Sequence, residues 1–171
     1  YILLKSINDF IRHYLCRMNS IGLPTQETKQ IVVKLNELLA TYSVQYMNTR
    51  GFHWNIKGKE FFELHLKFEE IYNALVLQID EIAERILTLE GTPLHSYTDN
   101  VKHSKITERV NVTNGIDGLQ HLLDGYKTII SIQREILKLA GEINDEGTVS
   151  QMSDYITLQE KEMWMYRSYL S

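Results

Sequence analysis

HWNIKGKEFFELHLKFEEIYNALVLQIDEIAER, residues 53–85, decides the reading of this chain. It carries His53, His65, Glu69, Asp80 and Glu84; His65 and Glu69 are four residues apart, as are Asp80 and Glu84. Residues four apart lie one above the other on a helix. At roughly 100° per residue, with His65 as zero, Glu69 falls near 40°, Asp80 near 60° and Glu84 near 100°. All four share one stripe. Along the axis the two pairs are about 22 Å apart, whereas one metal ion holds its N and O ligands at about 2.0–2.2 Å. The pairs therefore cannot meet on one straight helix. Two copies crossing antiparallel about a two-fold axis near Ala74 and Leu75 bring them together twice over, and an isologous dimer has that symmetry. Ala74 is small enough for close approach, and His53 adds an imidazole from the end of the preceding helix.

Either pair alone reads as an ordinary solvated helix face, because matching charge spacing is common on helices. Five donors in phase, with aromatic and aliphatic residues between them, move the balance toward a metal site.

HWNIKG, FFELHLKFEE and DEIAERI together resemble the Dps family, the mini-ferritins. In that family His–x(11)–His–x(3)–Asp/Glu–x(10)–Asp–x(3)–Glu forms a ferroxidase site shared between subunits. Every position is present here as His53, His65, Glu69, Asp80 and Glu84, with Glu69 where many members carry Asp. The resemblance spans roughly residues 20 to 170 and includes the DEGTVSQMSDYI…WMYRSYL ending. It implies an all-α, ferritin-like four-helix bundle and a cytoplasmic dodecamer of tetrahedral symmetry with isologous dimer interfaces. It also implies oxidation of Fe(II), preferably by hydrogen peroxide rather than dioxygen, at inter-subunit di-iron sites. Ferric product is then stored in the hollow shell, which protects against oxidative stress. Zinc or another divalent ion can substitute for iron. Trp54 matches the tryptophan beside the family's site, where it would donate an electron when only one iron is oxidised; simple packing is its other reading.

The donor set itself supports iron. It has two imidazoles, three carboxylates and no thiolate, which removes the strongest pull toward structural zinc or copper(I). Ferritins and their di-iron relatives build the site inside one bundle with Glu-x-x-His. That motif is absent from this sequence, so the two-chain site is the better candidate.

Composition sets the remaining bounds. The 171 residues suffice for one well-cored domain. Two prolines and nine glycines favour long uninterrupted helices. A single cysteine, Cys16, excludes an intramolecular disulfide framework. No run of 18 apolar residues predicts a membrane span. A formal net charge of −4 argues against nonspecific nucleic-acid binding as the main task.

Residues 1–18 form an amphipathic extension with Leu3, Ile7, Phe10, Ile11, Tyr14, Leu15 and Met18 at helical spacing. An extra packing helix is expected there; Asp9 and the lack of a small-residue cleavage site argue against a signal peptide. Residues 19–171 form the bundle domain. Helices are expected over about 25–50, 60–89, 114–141 and 148–170, with Gly51 loosening the end of the first and Gly91 and Pro93 stopping the second. The 91–113 crossover is long enough to run the length of the bundle, with a short helix over 97–104. His121 has no partner and reads as structural. Glu142, Asp145 and Glu146, near the last turn, are candidates for an acidic pore through which iron enters.

Two other functions stay open at this stage. One is a DNA-compacting role, which Dps proteins also perform, although this sequence has no lysine-rich tail. The other is a structural metal, such as zinc, that only joins two subunits.

Overall fold

The computed structural model describes residues 18–171; the proposed extension and Cys16 lie outside the described residues, apart from Met18. The described residues form five helices: α1 (Thr25–Asn55), α2 (Phe61–Thr88), α3 (Tyr97–His103), α4 (Gly115–Glu142) and α5 (Glu146–Leu170). The long four pair as two hairpins, α1 with α2 and α4 with α5; α1 also packs on α4. The crossover between the hairpins carries α3 along the outside of α1. No described helix is long and apolar enough to cross a membrane.

Each long helix buries one stripe. On α2 the buried side chains are Leu64, Phe68, Ile71, Leu75, Gln78, Ile82 and Ile86. They meet Leu35, Leu38, Tyr42 and Phe52 of α1, and Leu119, Leu122, Ile129 and Ile136 of α4, in one continuous core. Burial of this apolar surface is the main force closing the bundle.

The helix ends differ in detail from the sequence reading. Gly51 does not loosen α1, which continues to Asn55. This brings His53 into the last turn, where the helix dipole favours a cation-binding or cationic side chain. The left-handed residue after α2 is Glu90, with φ 62°, rather than Gly91. Gly91 is required for a different reason: a Cβ there would lie 2.5 Å from Val32 Cγ1. The α5 helix starts two residues earlier than expected, at Glu146, because the Asp145 side chain caps it by accepting from Thr148 N.

Two asparagines fasten the crossover to α1. Asn36 donates to Thr92 O at 3.1 Å and accepts from Leu94 N at 2.8 Å. Asn48 donates to Thr107 O at 3.0 Å and accepts from Arg109 N at 2.8 Å. Each amide thus satisfies both a donor and an acceptor of a segment with no ladder of its own.

A buried polar layer crosses the bundle centre. The Tyr42 hydroxyl accepts from the Gln133 and Gln159 amides, all three being buried. Glu162 of α5 lies below this layer. Burial pushes its carboxyl up from the usual glutamate range, against the opposing pull of the Tyr126 hydroxyl and the Lys67 charge. A carboxyl raised in the folded state leaves folding undisturbed below its unfolded value and penalises it as pH rises through the window up to the folded value. Glu162→Gln should therefore raise the urea midpoint near neutral pH. That gain should vanish by about pH 3.5, below the ordinary glutamate value. An equal gain at both pH values would contradict the assignment.

Candidate metal centre

His53, from the last turn of α1, and His65, from the first turns of α2, come together across the hairpin. Their rings stack with centroids 3.8 Å apart and planes 18° apart. The hydrogen bonding between them is reciprocal. His53 Nδ1 lies 2.8 Å from His65 O, and His65 Nδ1 lies 2.9 Å from His53 O. A carbonyl oxygen only accepts, so each Nδ1 carries the proton and donates. In the neutral rings both Nε2 atoms then hold a free lone pair, the form a metal binds. Phe61 stacks on the outer side of His65 and Tyr72 meets His53 edge-on, so both rings are clamped. His53 is only 8% exposed.

The hairpin loop that sets this meeting is itself anchored. Lys57 N donates to Thr113 O at 2.8 Å, a bridge from the loop to the chain just before α4. Gly58, at φ 110°, then turns the chain into α2 in a conformation that suits glycine.

The three carboxylates lie elsewhere. Glu69 is half-buried and Asp80 and Glu84 are exposed, all on the outward stripe of α2 opposite its core stripe. None of the three forms an ion pair or side-chain hydrogen bond among the described residues. No three His, Cys, Asp or Glu side chains converge within one chain among the described residues. The structure thus brings the two imidazoles together and leaves Asp80 and Glu84 down the helix.

The outward stripe is unusual for a solvated helix. Phe62, Leu66, Val76, Leu77 and Leu87 are exposed on it among the acids, Phe62 at 79% and Leu77 at 65%. Near the helix midpoint the outward residues are Asn73, Val76 and Leu77. Leu75 is not among them, because it is buried in its own core, and Ala74 sits half-buried at the margin. Of the two residues expected beside a two-fold axis, Leu75 therefore does not reach the outward face of α2.

Around Trp54, which is exposed, the Arg50 guanidinium lies over the indole. Of the three pore candidates, Asp145 is excluded as a solvent-facing residue. It is buried, paired with Arg85, and bonded to Thr148. Glu142 and Glu146 are exposed. His121 is half-buried with its ring 6.2 Å from that of Phe52. Sequence reasoning missed Arg85 and the two clamping rings, Phe61 and Tyr72; nothing in residue spacing marks contacts between separate helices.

A bundle of two hairpins with a long crossover, carrying imidazoles and carboxylates on α1 and α2, is the architecture of the ferritin-like class. The ferritin-like domain model matches residues 32–171. A DNA protection during starvation protein of Porphyromonas gingivalis is 40% identical over 148 residues, 86% of this chain and 93% of that protein. The Dps protein of Vibrio cholerae O1, described as a member of a broad superfamily of ferritin-like diiron-carboxylate proteins, superposes with a TM-score of 0.89 at 53% identity, covering 91% of this chain and 98% of that one. Dps from Staphylococcus aureus superposes at 0.80 with 32% identity, over 84% of this chain and 96% of its own. The chain belongs to the Dps family of the ferritin-like superfamily.

Proposed function

We propose that this chain is a ferroxidase. Two Fe(II) ions, its substrate, are oxidised at a site built from His53, His65 and Glu69 of one subunit and Asp80 and Glu84 of another. Hydrogen peroxide is the preferred oxidant, and ferric product collects inside a closed dodecameric shell. The observation that carries this reading is the reciprocal lock of His53 and His65. It leaves two Nε2 lone pairs free at the start of α2, one turn from Glu69, on a helix whose outward face is apolar and whose three acids have no partner among the described residues.

The chemistry follows from the donor set. Imidazole and carboxylate suit Fe(II) without the thiolate that selects zinc or copper(I). Three negative charges stabilise the product Fe(III) more than Fe(II), which lowers the potential against which the oxidant works. The Nδ1 hydrogen bonds hold both rings in place and raise the basicity of Nε2. Two Fe(II) give up two electrons together, so H₂O₂ and two protons become two waters and no hydroxyl radical is released. The exposed Phe62, Leu66, Leu77 and Leu87 would be covered by the second α2, excluding bulk water from the pair of sites.

The test is Fe(II) oxidation by added peroxide in anaerobic buffer, comparing the parent protein with Asp80→Asn/Glu84→Gln. Assembly is checked by size, about 240 kDa if twelve 20.0 kDa chains close. The expected result is a drop of about 100-fold or more in an assembled variant. Equal rates would reject the site, and metal-dependent assembly without iron turnover would mark a structural metal instead.

A further inference from the structure

The geometry points to Arg50 as a residue that guards Trp54 against one-electron oxidation. This inference rests on the peroxide-driven iron chemistry proposed above and concerns what happens when that chemistry is incomplete. The Arg50 guanidinium carbon lies 4.5 Å from the centre of the Trp54 ring. It also sits 5.2 Å from the Tyr46 ring, and Nη1 donates to the Tyr46 hydroxyl at 3.1 Å. Tyr46, Arg50 and Trp54 are spaced four residues apart on α1, so the guanidinium is held between two rings by the helix itself. Among the described residues Arg50 forms no ion pair, and its full charge stays available to the rings.

Trp54 directly follows His53, one of the proposed iron ligands, whose Nδ1 is held by His65 O. A site holding one Fe(II) meets a two-electron oxidant with one electron short. If the indole supplies it, Fe(II), H₂O₂ and Trp54 give Fe(III), two hydroxide ions and the Trp54 radical cation. No proton moves in that step. The new positive charge on the indole forms under a guanidinium, and like charges at this distance repel appreciably even with substantial screening. The α1 C-terminal carbonyls pull the other way, but with only about half a charge spread over the last turn. The attraction between guanidinium and neutral indole, which stabilises the resting state, is also lost on oxidation. Tyr46 gains little as a substitute donor, because its oxygen faces a group that cannot take up a proton.

A control is built into the chain. Trp164, the other of its two tryptophans, is 59% exposed against 58% for Trp54, yet no cation lies over its ring among the described residues.

The experiment uses the assembled, iron-free protein and photogenerated ruthenium(III) tris-bipyridine as a one-electron oxidant. Peptide mapping gives the ratio of Trp54 to Trp164 oxidation, normalised to acrylamide quenching of each indole as a measure of exposure. Arg50→Met, which keeps length and removes charge, should raise the ratio about tenfold, and Arg50→Lys should stay within about threefold of the parent. An unchanged ratio in Arg50→Met overturns the inference, as does an equal rise in Arg50→Lys, which would credit the flat lid and not its charge. A second arm adds about one Fe(II) per site and then peroxide, where the variants should rank the same way. If no iron is oxidised there, the ferroxidase reading falls while the photochemical ratio still judges Arg50.

Discussion

Mixing two inactive variants should restore about a quarter of the parental rate of Fe(II) oxidation. The first variant, His53→Ala/His65→Ala, lacks both imidazoles; the second, Asp80→Asn/Glu84→Gln, lacks the two distal acids. Each assembled alone should be slower by about 100-fold or more, since every site then misses part of its ligand set. In a mixed dimer the intact histidines of the acid variant face the intact acids of the histidine variant, and one of the two sites is complete. The other site collects both defects. Random pairing makes about half of the dimers mixed, so about a quarter of all sites are whole. The physical basis is the separation along α2: the His53–His65 stack stands at its start, Glu84 lies in its last turns, and no single-chain cluster of three donors exists among the described residues. A mixture that stays as slow as its parents would place the chemistry within one chain and end the shared-site reading.

The second large effect is on stability. Arg85→Met should cost about 3 kcal/mol. Asp145 is only 3% exposed and pairs with Arg85, which also donates from Nε to Thr148 Oγ1 at 2.9 Å. Removing the guanidinium leaves a buried carboxylate whose remaining partners are the backbone and hydroxyl of Thr148. Gly147 is part of the same fit, since a Cβ there would lie 2.9 Å from Arg85 Nη1. Arg134→Met is the matched control. Its partner Glu160 and Arg134 itself are both largely exposed, and such pairs contribute about 0–1 kcal/mol. Urea midpoints at matched m-values decide the matter. Similar losses in the two variants would mean that burial of Asp145 is not what makes its ion pair matter. Arg85 adjoins Glu84, and the ion pair ties this end of α2 to the start of α5, so the same contact steadies the helix end that presents one of the proposed iron ligands.

The exposed apolar stripe of α2 connects these two predictions. A helix that buries Leu64, Phe68, Ile71, Leu75, Ile82 and Ile86 on one side has no need of Phe62, Leu66, Leu77 and Leu87 on the other unless something covers them. A second α2 running antiparallel would set Phe62 opposite Leu87, His65 opposite Glu84 and Glu69 opposite Asp80. The same packing that covers the apolar groups would assemble the donors.

Periodicity alone determined the helices. Apolar residues at helical spacing and the Gly-Leu-Pro, Gly58 and Gly91–Pro93 breaks mark four long helices, and the length of the crossover leaves a two-hairpin bundle as the natural arrangement. Donor phase on α2 was equally legible, because the angle between residues on one helix follows from their separation in sequence. Everything that depends on two helices meeting was not. The reciprocal His53–His65 bonds, the Arg85–Asp145 pair, the Asn36 and Asn48 clips and the requirement for glycine at 91 each join residues from separate elements. Their geometry is set by interhelical distance and rotation, which side-chain packing in the core decides. Asp145 illustrates the difference: by sequence it is an acid in a surface turn, and only the approach of Arg85 from α2 makes it a buried cap. Helix ends moved for a similar reason. Gly51 lowers helix propensity by about 1 kcal/mol relative to alanine, but burial of Phe52 and the clamped His53 one and two residues later carries the helix through it.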